Sequence, residues 1–188
     1  SKNRRQRLLR TLATLRAQTH PDVEIIVSDD GSADPTVEHV RDMDLADTRL
    51  TPSSTSLGLG QATRRGVLAA RGRTVLTFDP RSEVPVESFE CLDDAATTNG
   101  AQVVCATPAP VWPEWCERTV GESVLPVELA ARAGRRLVQA HEDMGCGMRL
   151  FTREAARSIY WFQRMDGPSH DLEVLMLAER FGFSVHRV

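Results

Sequence analysis

No stretch of this 188-residue chain approaches the ~20 consecutive apolar residues that a membrane-spanning helix needs. No secretory leader is visible, and the four cysteines (Cys91, Cys105, Cys116, Cys146) contain no C-x-x-C pair and no metal-ligand spacing. Reduced thiols in a cytoplasmic domain are therefore expected, and a disulfide framework or a cysteine metal site is not. An excess of positive charge is lacking as well. Lys and Arg number 23 against 26 Asp and Glu, for a formal net charge of −3, which argues against a dedicated nucleic-acid binder. Internal repeats and low-complexity tracts are absent too, which sets repeat architectures aside.

What is there is ordinary in bulk and uneven in detail. Hydrophobic residues make up 41% and charged residues 26%, as in a soluble single domain long enough to bury a core. The basic residues Lys2, Arg4, Arg5, Arg7, Arg10 and Arg16 crowd the first predicted helix, from about 3 to 18, whose Leu8, Leu12 and Leu15 share one face. Those charges read either as a solvated helix face or as a peripheral contact with anionic lipid head groups.

Strands and helices then alternate. Strands are expected at 23–28, 49–51, 73–78, 102–106, 148–151 and 183–188. Helices are expected at 35–42, 58–71, 85–98, 127–139, after Thr152, and at 171–181. In the last of these, Leu172, Leu175 and Met176 are expected on one side. Such alternation indicates an α/β, doubly wound sheet. Residues 107–126 carry four prolines and two tryptophans (Trp112, Trp115), a loop long enough to suggest function.

The most informative stretch is Val23-Glu-Ile-Ile-Val-Ser-Asp-Asp-Gly-Ser-Ala-Asp-Pro-Thr36. A short apolar run ends on Asp29 and Asp30, and Asp34-Pro35 suits the start of a helix, with Asp34 as its cap. Carboxylates at the carboxyl end of a strand stand where open α/β sheets bind ligands, and they suit ribose hydroxyls or a base N–H. A plain Asp-Gly turn is the competing explanation.

Val23 to Thr36 resembles the strand and D-D-G-S-x-D turn of family 2 glycosyltransferases. Further blocks follow in that family's order: Ser56-Leu-Gly-Leu-Gly60, the helix to Gly72, Val75 to Asp79, and Glu83-Val-Pro-Val-Glu87. Asp143-Met-Gly-Cys-Gly-Met-Arg-Leu-Phe-Thr-Arg is similar to the D-x-x-C-G-F-K-L-F-T-R segment of polyprenyl- and dolichyl-phosphate sugar transferases, and Asp171-Leu-Glu173 to their F-D-V-E helix. The resemblance implies one GT-A domain over 1–188, a mostly parallel sheet with residues 1–106 as the nucleotide half and 107–188 as the acceptor half. The family's first strand is missing, so the chain is expected to be trimmed before Ser1.

By this resemblance the function is inverting transfer of a sugar from a nucleotide-diphosphate sugar to a lipid-phosphate or other hydroxyl acceptor; the chain is expected to be cytoplasmic, with the cytoplasmic membrane face as the alternative. Asp29, Asp30, Gly31 and Ser32 would hold the nucleoside, Gly58 and Gly60 would shape the adjacent turn, and Arg65 and Asp79 would lie near the diphosphate; Arg65 also reads as a solvated helix arginine. Asp143 would be the general base, with Asp171 or Glu173 lining the site and the other fixing a neighbouring loop; a structural salt bridge is the alternative for either.

Two departures stand out. The family carries D-x-D after the Val75 strand, where its second acid binds a divalent cation; here the residues are Asp79-Pro80-Arg81. Magnesium takes oxygen ligands, so a guanidinium removes one and repels the ion. Either Asp79, alone or with Glu83, holds a weak Mg2+ or Mn2+, or Arg81 neutralises the diphosphate directly in metal-independent transfer, or the domain is a degraded module that binds nucleotide sugar or protein without catalysis. The family's G-S-R turn, which helps bind an acceptor phosphate, is replaced by Cys105-Ala106-Thr107. That leaves a polyprenyl-phosphate acceptor open, with Arg118, Arg135 and Arg136 as substitutes for the missing arginine.

Overall fold

The computed structural model describes residues 5–17, 22–43, 45, 47–79, 89–106, 147–167 and 169–188. Arg5–Ala17 (α1) places Leu8 and Leu12 against Val27 of Ile25–Ser28 (β1) and Val40 of Thr36–Asp42 (α2). β1 pairs in parallel with Thr48–Thr51 (β2), Ile25 opposite Thr48 and Ser28 opposite Thr51.

A second sheet has the order β3-β5-β4-β6, formed by Thr74–Phe78 (β3), Met148–Thr152 (β5), Val103–Cys105 (β4) and Val185–Arg187 (β6). β4 and β6 are parallel, while β5 runs antiparallel to both neighbours, Val75 opposite Phe151 and Val104 opposite Leu150. The sheet is therefore mixed at β5, and β4 is buried on both faces, as its continuous apolar sequence requires.

Leu59–Ala69 (α3) packs on β1, β3 and Arg153–Phe162 (α5), and Phe89–Asn99 (α4) covers β4, β5 and β6. His170–Arg180 (α6) packs on α5 and α3. The main core joins α3, α4, α5 and α6 to the four-stranded sheet through Val67, Leu92, Val103, Phe151, Ile159 and Leu175. α5 starts as its sequence suggests: Thr152 caps it, its Oγ1 accepting from the Ala155 N–H at 3.3 Å, with Glu154 in the first turn.

Two local expectations are corrected. α2 begins at Thr36 rather than Pro35, and the Asp34 side chain accepts from the Thr36 hydroxyl instead of capping a backbone amide. Met176 is exposed while Leu172 and Leu175 are buried, because the apolar stripe of α6 continues through Val174 and Ala178. The loop at 107–126, with Trp112 and Trp115, and the helix at 127–139 lie outside the described residues, as do Arg81, Glu83, Asp143 and Cys146. Among the described residues no helix is long and apolar enough to cross a membrane.

Candidate active site

β1 ends at Ser28, and the chain then turns through Asp29, Asp30 and Gly31. Asp29 is fully buried. The Ser32 N–H donates to its Oδ2 at 2.8 Å and the Ser32 hydroxyl to its Oδ1 at 2.5 Å, which closes the turn on itself. Gly31 has φ +67, and a Cβ there would lie 2.7 Å from the Thr55 carbonyl carbon and 2.8 Å from the Ser56 nitrogen. Only glycine allows both that conformation and that approach.

Asp30 is 7% exposed and reaches across to the same loop. It accepts from the Ser56 hydroxyl at 2.8 Å, from the Leu57 N–H at 2.7 Å and from the Gly58 N–H at 3.1 Å. Burial alone would raise its pKa; the Leu57 and Gly58 amides, the Ser56 hydroxyl and the nearby Arg65 charge outweigh burial and hold it below the usual carboxylate range. The paired acids are thus more than a plain Asp-Gly turn: one closes its own turn and the other staples a distant loop.

That loop is wedged in turn from the other side. Gly58 has φ +102, and a Cβ on it would meet the Asp166 carbonyl oxygen at 2.3 Å; one on Gly60 would meet the Met165 carbonyl oxygen at 2.1 Å. The Gly60 N–H donates to the Asp166 carbonyl at 2.8 Å. Residues 164–166 are pinned by Glu173, whose carboxylate accepts from the Arg164 N–H at 2.9 Å and the Met165 N–H at 2.7 Å. The Gln163 side chain donates to the Met165 carbonyl. Glu173 is therefore the acid that fixes a neighbouring loop.

Asp171 faces elsewhere. Its Oδ1 accepts from Arg149 Nη1 at 2.6 Å, with the His170 Nε2 at 3.3 Å. Arg149 sits in β5 between Thr77 of β3 and Cys105 of β4, and its side chain is 4% exposed. The salt-bridge alternative for Asp171 is what the geometry shows. Burial pushes the Tyr160 hydroxyl well up, against the lowering effect of the Arg149 charge, so it stays protonated and serves as no base.

Asp79 directly follows β3, its N–H donating to the Gly147 carbonyl at 2.8 Å, so the end of β3 is tied to the residue that leads into β5. α3 packs on both β1 and β3, so one helix bridges the strands that lead into Asp29 and Asp79. Among the described residues, no group of three or more His, Cys, Asp and Glu could hold a metal ion.

Arg65 is not on the solvated face of α3. Its Nη2 donates to the Asp29 carbonyl at 2.7 Å. Other side chains join distant segments in ways that no local pattern announces. Ser56, Arg64 (Nε to the Tyr160 carbonyl, 2.8 Å) and Glu24 (accepting from the Gly72 N–H at 2.9 Å) carry contacts between distant segments. For Arg149 a signal existed: one charge inside an otherwise apolar strand demands a buried partner.

The comparisons agree with this architecture. The family model described as glycosyl transferase family 2 matches residues 1–159. A dolichyl-phosphate beta-glucosyltransferase of Dictyostelium discoideum is 26% identical over 174 residues, covering 88% of this chain and 53% of that protein. One from Trichomonas vaginalis is 31% identical over 173 residues, covering 87% and 51%. The chain thus spans about half the length of the curated relatives it matches. Glucosyl-3-phosphoglycerate synthase from Mycobacterium tuberculosis, solved with Mn2+, UDP-glucose and phosphoglyceric acid, superposes with a TM-score of 0.71 at 18% identity, over 100% of this chain and 66% of that one. Staphylococcus aureus TarS gives 0.68 at 14% identity, over 100% and 56%. The fold is the GT-A fold of these neighbours, and the chain belongs to glycosyl transferase family 2.

Proposed function

We propose that this domain transfers a sugar from a nucleotide-diphosphate sugar to a lipid-phosphate or other hydroxyl acceptor, with inversion at the anomeric carbon. The observation that carries the reading is the pair of interlocked loops at the carboxyl end of β1, where Asp30 joins the Asp29–Ser32 turn to the Ser56–Gly58 loop. Open α/β sheets receive nucleotides at such strand ends, and the family of this chain supports the chemistry. The names of the relatives support a polyprenyl-phosphate acceptor and hence work at the cytoplasmic face of a membrane. The neighbour solved with UDP-glucose supports a uridine donor.

In this reading residues 1–106 are the donor half and 107–188 the acceptor half. The turn of Asp29, Asp30, Gly31 and Ser32, with Gly58, receives the nucleoside. Its acids act by holding the turn and the facing loop in register, since both are buried and bonded within the protein. Asp79 faces the diphosphate, joined either by Mg2+ or Mn2+ or by the Arg81 guanidinium, which matches phosphate geometry without a metal. Asp143 takes the proton of a hydroxyl acceptor as its oxygen attacks the anomeric carbon and the diphosphate departs. A phosphate acceptor arrives largely deprotonated at neutral pH and needs that base less. Asp171 acts through Arg149, holding the strand that follows the Asp143 segment.

A second reading, a GT-A module that binds without catalysis, draws on Arg81 standing where the family carries its metal-binding acid. Titration calorimetry with UDP-, GDP- and dTDP-sugars, with and without EDTA, tests both, followed by transfer of labelled sugar to dolichyl phosphate in vesicles. Binding of one donor followed by transfer is the expected result. Binding without transfer to any acceptor favours the module, and no binding of any donor overturns the enzyme. Survival of binding in EDTA supports Arg81 as the substitute for metal; complete loss refutes it.

A further inference from the structure

Arg65 stands in an unusual setting for a helix arginine. Gly66 beside it lets α3 lie close to β1, a Cβ there being 3.4 Å from Ser28 Cβ, and the Ser28 hydroxyl donates to the Ala62 carbonyl at 2.5 Å. The helix is thus fastened to the strand directly below the Asp29–Asp30 turn. Across this contact Arg65 sends Nη2 to the Asp29 carbonyl at 2.7 Å, while its Nε and Nη1 are buried with no hydrogen-bond partner among the described residues. Burying guanidinium donors without partners is unfavourable, and a neutral side chain would tie a helix to a carbonyl at less expense. What the neutral side chain would lack is a positive charge beside Asp30, the carboxylate that staples the 56–58 loop.

We propose that Arg65 is a positioning residue of the nucleotide site, fixing the peptide after Asp29 from below while its charge steadies the staple that Asp30 makes to Leu57 and Gly58. The inference rests on the reading of this turn as the nucleoside site. Its planar fork supplies a directed bond to the carbonyl and a charge at the same time, which lysine does only in part and methionine not at all. Nothing in this role requires Arg65 to touch the nucleotide. Its effect on the ligand passes through the conformation of residues 29–32 and 56–58.

The test compares Arg65→Met, Arg65→Lys and Arg65→Gln with the natural chain, measuring affinity for UDP, GDP and dTDP by calorimetry and amide hydrogen exchange without ligand. Arg65→Met is expected to weaken nucleotide binding roughly tenfold or more, the loss of one charge-assisted bond. Arg65→Lys should regain a large part of that loss, and Arg65→Gln less than lysine. Exchange at the Ser32, Leu57 and Gly58 amides should quicken in Arg65→Met, while amides of β4 and β5 keep their rates. If Arg65→Met does not fold, the lysine and glutamine variants carry the comparison, and lysine equal to or worse than glutamine overturns the role of charge. Unchanged affinity or unchanged exchange at Ser32 and Leu57 overturns the inference. Failure of the natural chain to bind any nucleotide overturns instead the site reading on which the inference stands.

Discussion

The two sheets of this molecule are held together by different forces. Among the described residues, the β3-β5-β4-β6 sheet and its helices share a core that includes Leu92, Val103, Val104, Phe151, Ile159 and Leu175, with a single internal ion pair, Arg149 to Asp171, at its edge. Around β1 and β2 the buried apolar cluster among the described residues is Leu8, Leu12, Val27 and Val40, with Ile25 and Leu50 packed against it. There directed polar contacts do the rest: Glu24 on the amides of Arg71 and Gly72, Asp29 on Ser32, Asp30 on Leu57 and Gly58, and Arg65 on Asp29. Hydrophobic burial scales with area and has no direction, so it holds elements together without fixing the path of a loop. Hydrogen bonds to carboxylates fix the path but depend on ionisation and on each partner being present. The loops proposed to receive a nucleotide lean on directed contacts more than on a large apolar core, although Glu173 makes such bonds beside the other sheet too.

The largest expected effect probes the exception in the apolar half. Asp171→Leu strips the buried Arg149 of its carboxylate and should cost about 4 kcal/mol in urea unfolding, with much of the loss recovered when Arg149→Met is added. Failure of the second change to rescue would show that Arg149 is held by other means. Next come two equal deletions in unequal surroundings. Leu92→Ala in the main core should cost about 4 kcal/mol, whereas Leu12→Ala, in a small cluster that is free to collapse, should cost about 2 kcal/mol. Equal losses would erase the contrast between the halves.

The smallest effect depends on pH. The folded pKa of Asp30 lies below its unfolded value, so its stabilisation is complete above the unfolded range, about pH 4, and is lost as pH falls through the folded value. Asp30→Asn should therefore cost about 2 kcal/mol at neutral pH and progressively less in acid. A penalty independent of pH would mean that shape rather than charge holds the 56–58 loop.

The elements were largely legible in order and type, because apolar periodicity and turn residues are local signals. Gly31 at the Asp-Gly turn, the Thr152 cap and the buried Leu172 and Leu175 all stand where the pattern puts them. Two details were not legible in this way. Asp34 takes the hydroxyl of Thr36, the first residue of α2, rather than a backbone amide. Met176 suits a buried stripe but is exposed, the covered side of α6 running through Leu172, Val174, Leu175 and Ala178. Within the site, the presence of acids at Asp29, Asp30, Asp79 and Asp171 was plain, while what each acid does was not. Asp30 bonds residues 26 to 28 positions away, and Asp171 an arginine 22 positions away, separations that no local pattern encodes.

From its residues alone this chain determines an α/β alternation, a family 2 set of motifs and a carboxylate-rich turn after its first described strand, because these follow from short-range periodicity and turn chemistry. Only the packed structure decides that the turn's two acids are internal fasteners and that a helix arginine lies beneath them. It alone also pairs Asp171 with the arginine of β5. The reason is physical: a buried charge takes its role from the donors that folding carries to within 3 Å or so of it, and those donors come from segments whose nearness is a property of the fold.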